Sequence, residues 1–259
     1  MTDAAGLTDR LRQYYTRYYH EVLGIPDWTT LVTLREDEAR QERGRLDRLR
    51  HLVGDASLSG RVLNVGCGTG GFNVVAAERG AWVVGADEDT DAIAICALRQ
   101  RANGGRYAQA AAERLPFRDA VFDLVHCFSV IEHVASVEAS IREMVRVTRP
   151  GGAIYVHTPN AWSLYEGHYK LFWMPFLPAA LGRLYLRLRG RPTAYLASLR
   201  RLTPGRLRRA FAAAGVTALT MHRETSRPRE SAGPLRALAA IYYRVTGMPA
   251  FIEMVARKP

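Results

Sequence analysis

The feature that most constrains the fold lies at residues 61–72, where an apolar stretch runs directly into a glycine-rich turn and then into a predicted helix. Glycine adopts backbone angles that other residues avoid, and its lack of a Cβ lets a ligand lie against the main chain. The helix predicted over 72–79, which Gly80 ends, directs its free N–H groups toward that turn. The pattern therefore predicts a ligand cradle between a strand and a helix.

The glycine spacing by itself leaves two cofactor classes open. Gly66, Gly68 and Gly71 also satisfy the dinucleotide pattern G-x-G-x-x-G. The next predicted strand, 82–86, ends at Asp87, whose carboxylate can accept hydrogen bonds from a ribose diol in either class. A nicotinamide oxidoreductase is thus an alternative at this point.

Three further motifs narrow the choice. They are Ala-Glu-Arg-Leu-Pro-Phe at 112–117, Phe-Asp-Leu-Val-His-Cys-Phe-Ser-Val-Ile-Glu-His-Val at 122–134, and Arg-Pro-Gly-Gly at 149–152. With them, residues 58–160 resemble the class I S-adenosylmethionine-dependent methyltransferases, in particular the small-molecule branch that includes the ubiquinone-biosynthesis type. The resemblance implies S-adenosylmethionine as the cofactor and an enzyme that methylates a small molecule.

Strand-like and helix-like stretches alternate from residue 61 onward, which predicts a parallel sheet covered on both faces. We expect an α/β fold with a Rossmann-like, seven-stranded sheet, mostly parallel with the last strand antiparallel. Strands are predicted at 61–65, 82–86, 106–110, 122–128, 153–158, 216–222 and 251–256, and helices at 72–79, 90–101, 137–147 and from Thr203-Pro204-Gly205 to Gly215.

The chain length predicts one α/β domain with appended elements. We expect an N-terminal helical cap over 1–56 and a methyltransferase domain over 57–259, with cap insertions at 160–202 and 223–250. Tyr15, Tyr18 and Tyr19 share one face of the predicted N-terminal helix. They are candidates for the substrate wall, and ordinary packing against the sheet is the alternative.

The resemblance also implies which residues surround the methionine and ribose parts of the donor. Gly66, Gly68 and Gly70 are expected to face the methionine part, and Asp87 the ribose hydroxyls. Asn64 stands where the family usually has an acidic residue. Its amide accepts hydrogen bonds but contributes no charge, so we expect a lower donor affinity rather than a loss of binding.

Four more residues are implied around the adenine and the ammonium group. Glu88 is expected at the adenine edge, with Ala112 and Glu113 on the other side of the ring. Phe128, at the end of the fourth strand, is expected to offer its main-chain carbonyl to the donor's ammonium group. The family often has an aspartate where Ala111 stands, so one bond to the adenine amine is not expected here.

Methyl transfer to a hydroxyl also needs a base, and histidine titrates nearest to neutral pH. His133, His157 and His168 are predicted beyond the carboxyl ends of the fourth and fifth strands, the edge at which open α/β sheets bind ligands. His168 is the leading base because Glu166 can orient its ring, and we expect it in a mobile loop. His133 and His157 are the alternatives, one shaping the pocket and the other a core histidine.

The positive charge of the chain is concentrated in one segment. Between Gly167 and Arg223 there are ten arginines and one lysine but no acidic residue, whereas the rest of the chain has 25 basic and 25 acidic residues. Aromatic and leucine side chains stand beside the arginines over 171–209. Such a pattern favours contact with an anionic membrane or a phosphate-bearing substrate, whereas simple solvation of an exposed helix or a lid packed on the pocket would produce it too.

Other observations set the remaining expectations. Cys67, Cys96 and Cys127 show no paired spacing, so we predict reduced thiols, no metal site and a cytoplasmic protein, with peripheral contact at the inner membrane face as an option. The acceptor is expected to be a small or lipid-linked hydroxyl compound. A nucleic-acid methyltransferase is not favoured because no binding module accompanies the charge, and a non-catalytic donor-binding module is the third alternative.

Overall fold

The computed structural model of the chain describes residues 2–103, 105–222 and 234–259. The strands are β1 (Arg61–Val65), β2 (Trp82–Asp87), β3 (Arg106–Gln109), β4 (Phe122–Phe128), β5 (Thr148–Pro159), β6 (Tyr165–Glu166), β7 (Leu171–Phe172), β8 (Ala218–His222) and β9 (Phe251–Arg257). The helices are α1 (Thr2–Thr16), α2 (Trp28–Glu36), α3 (Glu38–Val53), α4 (Asp55–Leu58), α5 (Gly71–Glu78), α6 (Thr90–Asn103), α7 (Val137–Val147), α8 (Ala179–Leu188), α9 (Ala194–Ser198), α10 (Pro204–Ala213) and α11 (Pro234–Thr246). A π-helical turn over Arg17–Val22 extends α1.

Seven strands form one sheet in the order β3-β2-β1-β4-β5-β9-β8. The first five strands run parallel, and β9 lies antiparallel between β5 and β8. The predicted fold is therefore confirmed, and the one antiparallel strand is the last in the chain. The order reverses between β1 and β4, which is where open α/β sheets bind their ligands.

Side chains that alternate along the strands fill a core on each face of the sheet. On one face Leu63 and Val125 pack with α7 and α10, and on the other Val62 and Leu124 pack with α3 and α5. Because both faces of β1 and β4 are buried, residues 62–65 and 124–128 of these central strands are apolar apart from Asn64 and His126. The two exceptions lie side by side near the site.

A third apolar cluster joins the N-terminal helices to the first insertion. Tyr15 and Tyr19 pack there with Trp173 and Leu186, all of them buried. The two regions thus form one cover over the sheet edge, although they are more than a hundred residues apart in sequence. The division of domains at residue 56 stays a prediction, and α4 spans that position.

The insertions contain elements that the sequence did not indicate. β6 and β7 form a short antiparallel hairpin, and His168 lies in the turn between them. Of the second predicted insertion, residues 223–233 lie outside the described residues, and α11 occupies much of the rest. None of the described helices combines the length and apolar character needed to cross a bilayer.

Candidate active site

A cavity of about 810 Å³ opens at the carboxyl ends of β1, β2 and β4. Its floor is formed by the glycine-rich turn after β1 and the acidic turn after β2. Its walls are formed by α1 and α3 on one side and by the β6–β7 hairpin and α9 on the other. The cavity is therefore shared between the sheet, the N-terminal helices and the first insertion.

The glycine-rich turn adopts backbone angles that explain its composition. Gly66, Gly68 and Gly70 have φ angles of +67°, +52° and +85°. A Cβ at Gly66 would also overlap the side chain of Val130, so position 66 excludes side chains on both grounds. Gly66 and Gly68 line the cavity, whereas Gly70 lies behind the turn, against Tyr107.

The carboxylate of Asp87 ties the acidic turn to the glycine-rich turn. It accepts hydrogen bonds from the Gly68 amide at 2.7 Å and from the Asp89 amide at 2.9 Å. Burial raises the pKa of Asp87 above its ordinary value, although these bonds favour the ionised form. Tyr14 donates a hydrogen bond to Asp89 at 2.9 Å, so α1 contacts the same turn.

The adenine-side residues of the predicted donor set also reach the cavity. Glu88, Ala112 and Glu113 line it, and the Glu113 carboxylate accepts a hydrogen bond from the Ser136 amide at 3.0 Å. Phe128 lines it at the end of β4. The structure thus brings the predicted donor residues together except for Gly70, while their individual roles remain predictions.

Asn64 is engaged with other residues of the chain. Its Oδ1 atom lies 2.8 Å from His126 Nδ1, and its Nδ2 group donates to Asn73 at 2.8 Å. Burial lowers the pKa of His126 to about 3, so the ring is neutral and its Nδ1–H donates to Asn64. Asn64 lines the cavity with its amide already held in place.

Charged residues of α3 enter the cavity wall, and the sequence analysis missed them. The guanidinium of Arg45 lies 4.3 Å from the centre of the Phe128 ring and forms an ion pair with Glu42. Glu38 and Glu42 are only 5% and 7% exposed. Residues 38, 42 and 45 are four and three positions apart, so their charged side chains lie on one face of the helix. This spacing is the sequence signal that could have revealed these three residues.

The three candidate bases take different positions. His168 and His133 line the cavity with ring centres 5.0 Å apart. His157 is buried and stacks on Phe128, with the ring centres 4.0 Å apart. Phe128 lines the cavity, whereas His157 does not. Geometry therefore favours His168 and His133 over His157.

His168 has the partner that the sequence analysis proposed. Its Nδ1 atom lies 2.8 Å from Glu166 Oε1, and the other oxygen of Glu166 accepts a hydrogen bond from the Tyr169 amide. Burial alone would lower the pKa of His168, but the hydrogen bond and charge of Glu166, with the charge of Glu132, raise it above the ordinary value. The pKa of His133, by contrast, falls to about 4, mainly because the ring is buried.

A buried carboxylate lies beneath the two cavity histidines. Glu132 accepts a hydrogen bond from Thr158 at 2.9 Å, and its Oε1 atom lies 3.8 Å from His168 Nε2 and 3.9 Å from His133 Nε2. Burial raises the pKa of Glu132. One ligand atom from each of these three residues lies within 4.8 Å of the others, a grouping that the sequence did not indicate because His168 comes from the insertion.

Tyrosines of α9 and of the N-terminal helices also line the cavity. Tyr195 of α9 lies with its hydroxyl 3.0 Å from that of Tyr18 and 3.4 Å from His133 Nε2. Tyr15, Tyr18 and Tyr19 all line the cavity, and Tyr15 and Tyr19 also pack in the third apolar cluster. These tyrosines therefore line the cavity, and in the cluster they pack with the N-terminal helices and the first insertion rather than against the sheet.

The arrangement of sheet, glycine-rich turn and acidic turn defines a class I methyltransferase architecture, and comparisons with known proteins agree. Residues 63–156 match the family described as "Methyltransferase domain". A ubiquinone biosynthesis O-methyltransferase of Rhizobium rhizogenes is 37% identical over 123 residues, which are 44% of this chain and 50% of the relative. A demethylmenaquinone methyltransferase of Mycolicibacterium gilvum is 40% identical over 124 residues, 46% of this chain and 51% of the relative.

The fold is also found in solved structures. A SAM-dependent methyltransferase of Archaeoglobus fulgidus superposes with a TM-score of 0.55 at 17% identity, covering 85% of this chain and 94% of that one. Residues 63–156 thus match a methyltransferase domain, within a sheet of the class I methyltransferase architecture. The chain spans about half the length of the curated relatives that it matches.

Proposed function

We propose that this chain is a methyltransferase that binds S-adenosylmethionine and methylates a hydroxyl of a small or lipid-linked acceptor, such as a sugar, a quinol or a polyketide. The observation that carries the proposal is one cavity in which the glycine-rich turn and Asp87 face the same space as the His168–Glu166 pair. The names of the relatives, which act in quinone biosynthesis, support a small acceptor.

The cavity fits the donor on structural grounds. A Cβ at Gly68 would meet open space, so a ligand can approach the main chain closely there. Asp87 would hold the ribose hydroxyls, because each of its oxygens has capacity beyond the amide it already accepts from. When bound, the donor supplies an electrophilic methyl carbon.

The remaining donor contacts follow from charge. A methionine moiety carries a carboxylate and an ammonium group, and Arg45 is a cation that lies directly on Phe128. We assign the carboxylate to Arg45 and the ammonium group to the Phe128 carbonyl. Glu88, Ala112 and Glu113 would surround the adenine.

His168 is the proposed base for the acceptor hydroxyl. In its neutral form the Nδ1–H donates to Glu166, which leaves the Nε2 lone pair to accept a proton. The hydroxyl proton would pass to Nε2 as the acceptor oxygen attacks, and the donor would supply the methyl group and keep the electron pair of the broken carbon–sulfur bond. Glu166 stabilises the resulting imidazolium. Holding both reactants in line provides the other part of the acceleration.

The test of this proposal is transfer of a labelled methyl group. Extracts of the source organism, incubated with the protein and methyl-labelled S-adenosylmethionine, should yield a labelled small molecule that mass analysis identifies as an O-methyl compound. Label in nucleic acid, or donor binding without any labelled product across broad acceptor panels, would favour the two alternative functions.

A lipid-linked acceptor would have to be reached at a membrane. Peripheral contact at the inner membrane face through residues 171–209 therefore belongs to the same proposal. It is supported by the absence of acidic residues from that segment.

A further inference from the structure

Helix α8 has two apolar faces, and only one of them is packed against the rest of the protein. Its inner face is formed by buried Gly182 and Leu186, and a Cβ at Gly182 would lie 3.1 Å from the ring of Trp173. Leu181, Leu184 and Leu188 recur at helical spacing on another face, where they are 52%, 50% and 77% exposed. These three leucines make no contribution to the buried core.

Three further large apolar side chains of the insertion are exposed, and two of them lie in the turn that leads into α8. Met174, Phe176 and Trp162 are 56%, 46% and 41% exposed, and the rings of Trp162 and Phe176 meet edge to face at 4.3 Å. We call the surface formed by Trp162, Met174, Phe176, Leu181, Leu184 and Leu188 the cap face. A run of exposed apolar side chains of this kind marks an interaction site.

The cap face is bordered by positive charge that nothing in the described chain neutralises. Arg183 and Arg187 are exposed, lie one turn apart and flank the leucines on α8. Among residues 2–103, 105–222 and 234–259, neither forms an ion pair with a carboxylate, whereas exposed arginines elsewhere, such as Arg12 and Arg43, do. The charge is therefore available to an external anion.

The cap face does not serve the cavity. None of its six residues lines the cavity, although Tyr165, His168, Lys170 and Tyr195 of the same insertion do. A lid on the substrate would turn its leucines inward, and a site for a soluble phosphate compound or for nucleic acid would not need three exposed leucines. Leucines beside arginines match a bilayer surface, where apolar side chains enter the headgroup boundary and cations meet phosphates.

We infer that the cap face docks on an anionic lipid bilayer. The leucines and Phe176 enter the boundary between headgroups and acyl chains, and Arg183 and Arg187 contact lipid phosphates. The same insertion presents His168 and Tyr195 to the cavity, so docking holds the acceptor side of the site close to the bilayer. Only the statement about the acceptor side rests on the proposed function, because it assumes a lipid-linked acceptor. Docking on the bilayer does not require turnover.

Vesicle flotation with the full chain tests the inference. Vesicles of phosphatidylcholine alone are compared with vesicles that also contain phosphatidylglycerol, at low and at high salt. We expect recovery with the anionic vesicles at low salt, and a lower recovery at high salt because exposed charges are screened. Fluorescence of exposed Trp162 should be quenched by brominated lipids in the same samples.

Two sets of variants separate the contribution of the arginine charges to vesicle binding from that of the apolar side chains. Each cation near an anionic surface is worth roughly a fivefold gain, so Arg183→Gln with Arg187→Gln should weaken partitioning about 25-fold. Leu181→Gln, Leu184→Gln and Leu188→Gln together should weaken it at least about 100-fold. Controls are Arg118→Gln with Arg142→Gln, which are both exposed and outside the first insertion, and Leu34→Gln, whose exposure of 51% is close to that of Leu181 and Leu184. Both controls should bind as the unmodified chain does.

The results that would overturn membrane docking differ from those that would overturn the proposed methyl transfer. Equal recovery with neutral and anionic vesicles, or leucine variants that bind like the unmodified chain, would overturn the inference. Calorimetry with S-adenosylmethionine on the same variants should show unchanged affinity, because no cap-face residue lines the cavity. Failure of methyl transfer both with and without vesicles would count against the proposed function and leave the docking result intact.

Discussion

Asp87 is the residue on which the donor half of the cavity depends. Its carboxylate holds the Gly68 amide and so fixes the glycine-rich turn against the end of β2. That bond aligns the main chain that a donor would lie against. The local motif already contained this information, because a strand, a glycine turn and an acid at the end of the next strand are short-range signals.

We predict that Asp87→Ala weakens S-adenosylmethionine binding by about 1.5–3 kcal/mol for each hydrogen bond lost, since bonds to a carboxylate are charge-assisted. Isothermal titration calorimetry measures the change. Asp91→Ala, at a side chain that is 58% exposed, is the matched control and should bind normally. An unchanged affinity in Asp87→Ala would remove the assigned role.

Arg45 gives a second, chemically selective prediction. If its guanidinium binds the donor's carboxylate, Arg45→Met should lower the affinity for S-adenosylmethionine by about 1.5–3 kcal/mol. Binding of 5′-methylthioadenosine, which lacks the amino-acid part, should not change. Equal losses for both compounds would show that the variant disturbs the cavity wall and would contradict the assignment.

For His168 the expected result is kinetic. Replacing a general base lowers turnover by about 10²–10⁴-fold, so His168→Ala should do so while donor affinity is retained. His51→Ala, on the exposed part of α3, is the control. Full turnover in His168→Ala would transfer the role to His133, or would mean that the acceptor needs no base.

The pH dependence of turnover follows from the Glu166 contact. The base must be neutral, and its pKa is raised above 6.5, so turnover should rise with pH through a midpoint above that value. Glu166→Gln removes the charge that favours the imidazolium, so the midpoint should move to lower pH. A pH–rate profile of both proteins measures it, and a midpoint unaffected by Glu166→Gln would separate Glu166 from the base.

At the scale of elements, one buried carboxylate connects the N-terminal helices to the glycine-rich turn. Glu38, at the start of α3, accepts hydrogen bonds from Tyr15, Thr69 and Arg99. These donors come from α1, from the turn after β1 and from α6. The network therefore holds the helical cover in register with the donor site.

Breaking this network should destabilise the fold. Removing one partner of a buried ion pair costs about 3–5 kcal/mol, so Glu38→Gln should lower the free energy of unfolding by an amount near the lower end of that range. Glu78→Gln breaks the exposed pair with Arg43 and should cost less than about 1 kcal/mol. Urea unfolding compares the two, and equal values would show that the Glu38 network does not stabilise the cover.

The sequence predicted elements best where the signal was local. Thr203 caps α10 by accepting a hydrogen bond from the Arg206 amide, as Thr203-Pro204-Gly205 indicates. In the first insertion the leucines and arginines over 171–209 favoured contact with an anionic partner but did not indicate which face of α8 is buried. That face is decided by Trp173, which packs against Gly182, and such a contact between segments has no signature in either segment alone.

At the scale of the molecule, the site joins three regions that are distant in sequence. His168 from the insertion meets Glu132 after β4, and Tyr18 from the N-terminal helices meets Tyr195 of α9. The donor side could be predicted because it belongs to contiguous motifs of the sheet. The acceptor side could be predicted only as separate histidines, because their convergence with Glu132 depends on how the insertion folds back.

The central claim is that this cavity binds S-adenosylmethionine rather than a dinucleotide, a choice that the glycine spacing left open. Calorimetry on the unmodified chain, titrated in parallel with S-adenosylhomocysteine and with NAD, tests it most directly. The account predicts saturable one-site binding of S-adenosylhomocysteine and no measurable heat from NAD. Tight binding of NAD with none of S-adenosylhomocysteine would contradict it.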